Sequence, residues 1–89
     1  MSETVSREII SQKVIEALQQ ATDHPDKIEE NDRIFEDLGM NRDFHGAMAV
    51  PYSKISIDYG GKSIGSSEIV NNRTVSSDVD LVYKKANKR

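Results

Sequence analysis

Two stretches near opposite ends of the chain repeat apolar residues every three or four positions. Within residues 4–21 they are Val5, Ile9, Ile10, Val14, Leu18 and Ala21, and within residues 74–86 they are Val75, Val79, Val82 and Ala86. That spacing puts an apolar stripe along one side of a helix. A chain of 89 residues has room for one small core, so the two stripes must share it. The expected class is therefore all-α: a single domain over residues 1–89, built as a small three- or four-helix bundle. Glu3 suits the positive end of the first helix, with Ser2 or Thr4 as its cap. Thr22-Asp23-His24-Pro25-Asp26 stops it, and Thr74 caps the last helix.

Composition removes several function classes. With no cysteine there is no disulfide frame, thiolate zinc site or cysteine nucleophile. No apolar run approaches the roughly 20 residues that span a bilayer. The opening Met1-Ser2-Glu3-Thr4 is unlike a secretory leader, so a cytoplasmic protein away from membranes is expected. Without such a leader, the glycosylation acceptor pattern Asn72-Arg73-Thr74 reads as coincidence. Residues 1–43 hold 11 acids against 5 bases, and residues 44–89 hold 4 acids against 7 bases. The acidic half argues against nucleic-acid binding, which needs clustered Lys and Arg. Lys84, Lys85, Lys88 and Arg89 complement the end of a terminal helix.

Individual chemical motifs are weak. His24 and His45 have no ligand four residues on, so no metal site is expected. Gly61-Lys62-Ser63 ends like a phosphate-binding loop, but Ser56 stands where that motif requires glycine. No nucleophile elbow accompanies His45, so a catalytic triad is not indicated.

The middle of the chain is less regular. Lys27 to Met40 is a long connection pinned by Ile28, Ile34, Phe35, Leu38 and Met40, with Asp32 placed to cap a short turn that Gly39 ends. Phe44, Ala47 and Met48 could line a short helix that Gly46 weakens and Pro51 interrupts. Pro51 then opens a second short helix containing Tyr52, Ile55 and Tyr59, which Gly60 closes. The alternative is an α+β chain, in which Ile55, Ile57 and Tyr59 alternate along a strand and Gly60-Gly61 turns a hairpin. Helix is the preferred reading. Ser66 to Val70 forms at most one helical turn.

The run Asp32-Arg33-Ile34-Phe35-Glu36-Asp37-Leu38-Gly39-Met40-Asn41 resembles the approach to the attachment site of acyl carrier proteins. In that family a serine follows and bears 4′-phosphopantetheine. Tyr59-Gly60 through Ile69 is similar to the end of the carriers' second helix and their short third helix. Thr74-Val75 with Val79-Asp80 and Val82 is similar to the start of their last helix. About three quarters of the chain follows this order. The resemblance implies a bundle with a long first loop and, here, an irregular, interrupted second helix.

The departures are chemical. Arg42 stands at the position equivalent to the attachment serine, or His45 does if the extra residues precede the helix; neither has a hydroxyl. Ser53 is the leading substitute and Ser56 a lesser one, though neither follows an Asp-Leu-Gly sequence. No cofactor is expected unless one of them carries 4′-phosphopantetheine. The resemblance implies a non-catalytic, degenerate carrier that acts as a monomeric protein-interaction module. Its partner would be a biosynthetic enzyme of fatty-acid, polyketide or peptide synthesis. Glu36, Asp37, Arg42 and Asp43 are the expected partner-binding residues, with Arg42 either holding an anionic partner or pairing with Asp37 or Glu36. The alternative is a working acyl or aminoacyl carrier on an unrecognised serine.

Overall fold

A computed structural model describes residues 5–87. The helices are α1 (Arg7–Thr22), α2 (Arg42–Ala47), α3 (Ala49–Asp58), α4 (Ser66–Ile69) and α5 (Val75–Ala86). The architecture is a small all-α bundle, with a long first loop and a second helix broken into α2 and α3. The described residues contain no strand, only an isolated bridge between Arg33 and Thr74. The hairpin alternative is therefore wrong. The suggested caps Ser2 and Thr4, with Glu3, Lys88 and Arg89, lie outside the described residues.

Ser6 caps α1, its side chain accepting the Ile9 N–H. The buried stripe is narrower than the periodicity implied: Ile10, Val14 and Leu18 are inside, whereas Ile9 and Ala21 are exposed. Ile10, Val14 and Leu18 follow one another at four-residue steps, and Ile9 lies about 100° round the helix from Ile10, off that line. On α5, Val75, Val79, Val82 and Ala86 are all buried, and Thr74 caps the helix by accepting from Ser77 N–H. Arg7 bridges the two ends of the chain, reaching Asp80 on α5 at 2.8 Å and Glu30 in the first loop at 2.8 Å.

The first loop holds its place by burying Ile28, Ile34, Leu38 and Met40. Its backbone is stitched to the start of α5 by three bonds: Ile34 N–H to the Arg73 carbonyl, Val75 N–H to Asp32, and Ser76 N–H to Glu30. Asp32 does not cap the following turn; its carboxylate takes the Glu29 N–H at 2.9 Å. Asp37 serves that turn instead, accepting the Arg33 N–H at 2.8 Å. Gly39, at φ 71°, ends it.

The expected inner face of α2 is corrected. Phe44 and Ala47 are exposed, and His45, Gly46 and Met48 face inward. Helix α3 begins at Ala49, two residues before Pro51, which occupies the first turn, where a missing N–H costs nothing. Its end is a Schellman motif, in which Gly60 N–H meets the Ile57 carbonyl and Gly61 N–H the Ser56 carbonyl, with Gly60 at φ 85°. Gly61 has a second task. A Cβ there would lie 2.2 Å from the Lys85 carbonyl oxygen, so only glycine lets this loop touch α5. Among the described residues, no helix is long and apolar enough to cross a membrane.

Candidate functional site

Asn41 caps α2, its Oδ1 accepting the Phe44 N–H at 2.7 Å. Arg42 is thus the first helical residue, and it is exposed. His45 is fully buried and cannot stand where a surface attachment group would. Of the two registers that the sequence leaves open, the geometry puts Arg42 at the exposed helix start.

The four expected partner-binding residues divide into two pairs. Glu36 and Asp37 belong to the loop and pair with Arg33, at 2.7 and 3.4 Å, rather than with Arg42. The Asp37 carboxyl is held below its usual range, first by the Arg33 N–H and then by the Arg33 side chain. Arg42 and Asp43 instead border a groove of about 490 Å³ between α2 and α4, with Gly46, Ser66 and Val70 among its walls. Arg42 makes no ion pair among the described residues.

Ser53 is the fifth residue of α3, two residues deeper than expected, because the helix starts at Ala49 rather than at Pro51. Its hydroxyl donates to the Ile64 carbonyl at 3.0 Å and accepts the Ile64 N–H at 2.8 Å. Ser56, fully buried, donates to the Lys62 carbonyl. Both hydroxyls pin the connection between α3 and α4.

On the outer side of α3, Val50 is 78% exposed and Ile57 54% exposed. They sit seven residues apart on one face, with Lys54 between them. With Ala49 and Ile64 they line a second groove of about 520 Å³.

Sequence reasoning missed the most polar feature of the interior. Asp78, with no exposed surface, accepts from Tyr52 Oη at 2.6 Å, His45 Nε2 at 2.7 Å and Asn72 Nδ2 at 3.0 Å. An isolated buried carboxylate costs several kcal/mol, which three donors offset. Burial, and next the Asp78 charge, pushes the Tyr52 phenol well up, so it remains a proton donor. The signal was present: Asp78 falls on the α5 stripe with Val75, Val79 and Val82, and a charge on an apolar stripe needs partners. The network ties α2, α3 and the loop before α5 to α5 itself. The Phe35 ring stands edge-on to His45, 5.8 Å between centroids.

His45 Nδ1, where an acid–base partner or nucleophile would sit, is buried without a hydrogen bond. Among the described residues, no group of three or more His, Asp or Glu side chains could hold a metal ion. The chain matches no protein-family model, no curated protein and no solved structure.

Proposed function

We propose that this protein is a non-catalytic interaction module, a degenerate carrier that keeps an acyl-carrier-like bundle without its attachment chemistry. Its partner would be an enzyme of fatty-acid, polyketide or peptide synthesis. The observation that carries the reading is Arg42 at the first position of α2, exposed and without an ion pair among the described residues, where the resemblance calls for a serine. A guanidinium cannot form a phosphodiester, but it can hold a carboxylate or phosphate of a partner in two parallel hydrogen bonds. The nearby Ser53 and Ser56 hydroxyls are committed to backbone groups.

The neighbouring apolar face supports the same reading. Val50 and Ile57 expose apolar surface one heptad apart, flanked by Lys54, a pattern suited to a partner helix with two apolar residues around an acid. Burying two such side chains contributes on the order of 3–5 kcal/mol before the costs of association. Catalysis by this chain is not part of the proposal, since its buried Asp78–His45 pair has no exposed atom to offer a substrate.

The test is site-specific photo-crosslinking from Phe44 and Lys54 in cells, compared between the unaltered chain and Val50→Asp/Ile57→Asp. The expected result is a discrete crosslinked enzyme that disappears with the double substitution. Crosslinks that survive it unchanged would sink the assignment of this face.

A further inference from the structure

The groove between α2 and α4 is bordered by three polar side chains with no committed partner among the described residues: Arg42, Ser66 and Ser67. Six of the described serines have committed hydroxyls: Ser6 at a cap, Ser11 on Glu30, Ser53 and Ser56 on backbone, Ser76 with Arg7, and Ser77 with Thr74. Ser63, Ser66 and Ser67 are exposed and have no such partner among the described residues. The arginines divide similarly. Arg7 and Arg33 are ion-paired and Arg73 lies 6.0 Å from the centre of the Phe35 ring, whereas Arg42 has neither kind of contact among the described residues.

Arg42 and Ser66 border the same groove, and Ser66 is the serine that touches α2. A Cβ at Gly46 would come within 3.5 Å of the Ser66 Cβ, so Ser66 rests directly on α2. Arg42 lies one turn before Gly46 on the same side of that helix, and both residues border the groove with Ser66. An arginine side chain readily covers one helical turn. The other charges nearby are Asp43, which would oppose an anion, and Glu68, whose carboxylate is held by Lys85 at 2.7 Å and by the Gly65 N–H at 3.0 Å.

We propose that Ser66 is a phosphorylation site and that Arg42 receives its phosphate across the groove. In the modifying step, Ser66 Oγ attacks the γ-phosphorus of a nucleoside triphosphate held by a protein kinase. The new O–P bond forms as the bond to the nucleoside diphosphate breaks, and the hydroxyl proton passes to the kinase's base. Ser66 begins a helix of four residues, short enough to unravel into an extended substrate. The phosphate monoester brings a charge of about −1.5 to −2 and three acceptor oxygens that suit a guanidinium fork. It would fasten α4 to the start of α2 and engage Arg42, removing it from contact with any partner. The proposal does not depend on the carrier resemblance.

The test uses the full chain with phosphoserine encoded at position 66, or at position 63, outside the groove. The second ionisation of each phosphate is followed by phosphorus NMR. At position 66 its midpoint is expected at least about 0.5 pH unit below that at position 63, and Arg42→Gln should erase the difference. Arg42 is exposed, so this substitution leaves the fold intact. Coincident titrations, or a shift that survives Arg42→Gln, would overturn the phosphate contact. Peptide mapping of the protein from its natural cells, prepared with phosphatase inhibitors, is expected to find phosphate on Ser66. Finding none would overturn the modification itself.

Discussion

Tyr52 and Asp78 meet inside the bundle, phenol oxygen to carboxylate oxygen at 2.6 Å, although 26 residues separate them along the chain. Through this contact α3 is fixed to α5 by a hydrogen bond in a place where water does not reach. His45 reaches the same carboxylate oxygen from α2. One acid therefore organises both halves of the broken second helix.

Removing that acid should be far worse than removing one donor. Asp78→Ala strands the Tyr52 hydroxyl, the His45 ring and the Asn72 amide in the interior and is expected to cost about 3–5 kcal/mol. Tyr52→Phe leaves the carboxylate with two donors and should cost about 1–3 kcal/mol. Urea unfolding of the two variants checks the order. Equal losses would mean that the carboxylate does not organise the cluster.

Gly61 and Gly60 should respond differently to alanine. At Gly61 the new methyl meets the Lys85 carbonyl oxygen at 2.2 Å, and both sides of the contact are backbone. The loop must move off α5, breaking the bond from Lys62 N–H to the Lys85 carbonyl, for a loss of about 2–3 kcal/mol. At Gly60 the penalty is conformational, about 1–2 kcal/mol for a left-handed alanine. Thermal melts give the ranking, and the Lys62 amide should lose exchange protection only in Gly61→Ala.

Acid should loosen the joint between the first loop and the helix pair α1–α5. The Glu30 carboxyl is held below its ordinary 4.5, chiefly by the Arg7 guanidinium and next by Ser11. A carboxyl depressed in the fold contributes its full stabilisation above its unfolded value. That contribution disappears as pH falls from about 4.5 through the folded value. About a third of each side chain is exposed, so salt should weaken the effect. Melting temperature against pH, at low and high salt, is expected to be less steep below pH 4.5 in Glu30→Gln. Identical slopes would show that the Arg7–Glu30 pair has no part in acid sensitivity.

Much of this architecture is readable from single residues. The stripe on α5, its Thr74 cap and the stop at Gly60 follow from local rules that tertiary packing does not overrule. So do the buried pins of the first loop, because a loop that long must bury apolar groups to stay ordered. The inner face of α2 is different. In a six-residue helix, Phe44 is the obvious apolar anchor, yet His45 goes inside because Asp78 awaits it from another helix. Such long-range polar pairs have no local period. The Ser53 and Ser56 bonds are hidden similarly, since their partners are backbone groups that any sequence supplies. The turn was assigned to Asp32, whereas Asp37 serves it and pairs with Arg33 rather than Arg42, a choice between neighbouring acids that no local pattern marks.

The functional surface should tolerate change where the core does not. Arg42→Gln, Asp43→Asn and Val50→Ala lie on exposed positions and should each alter stability by no more than about 0.5 kcal/mol. Any loss of partner binding in these variants can then be read as a lost contact. A drop in melting temperature comparable to that of Asp78→Ala would instead assign them to the scaffold.

Incubation with coenzyme A and a broad-specificity phosphopantetheinyl transferase, followed by intact mass, addresses Arg42 most directly. The unaltered chain is expected to keep its mass, because the residue opening α2 has no oxygen to esterify. A gain of one phosphopantetheine group, traced to any serine of the chain, would contradict the interaction-module reading and restore a working carrier.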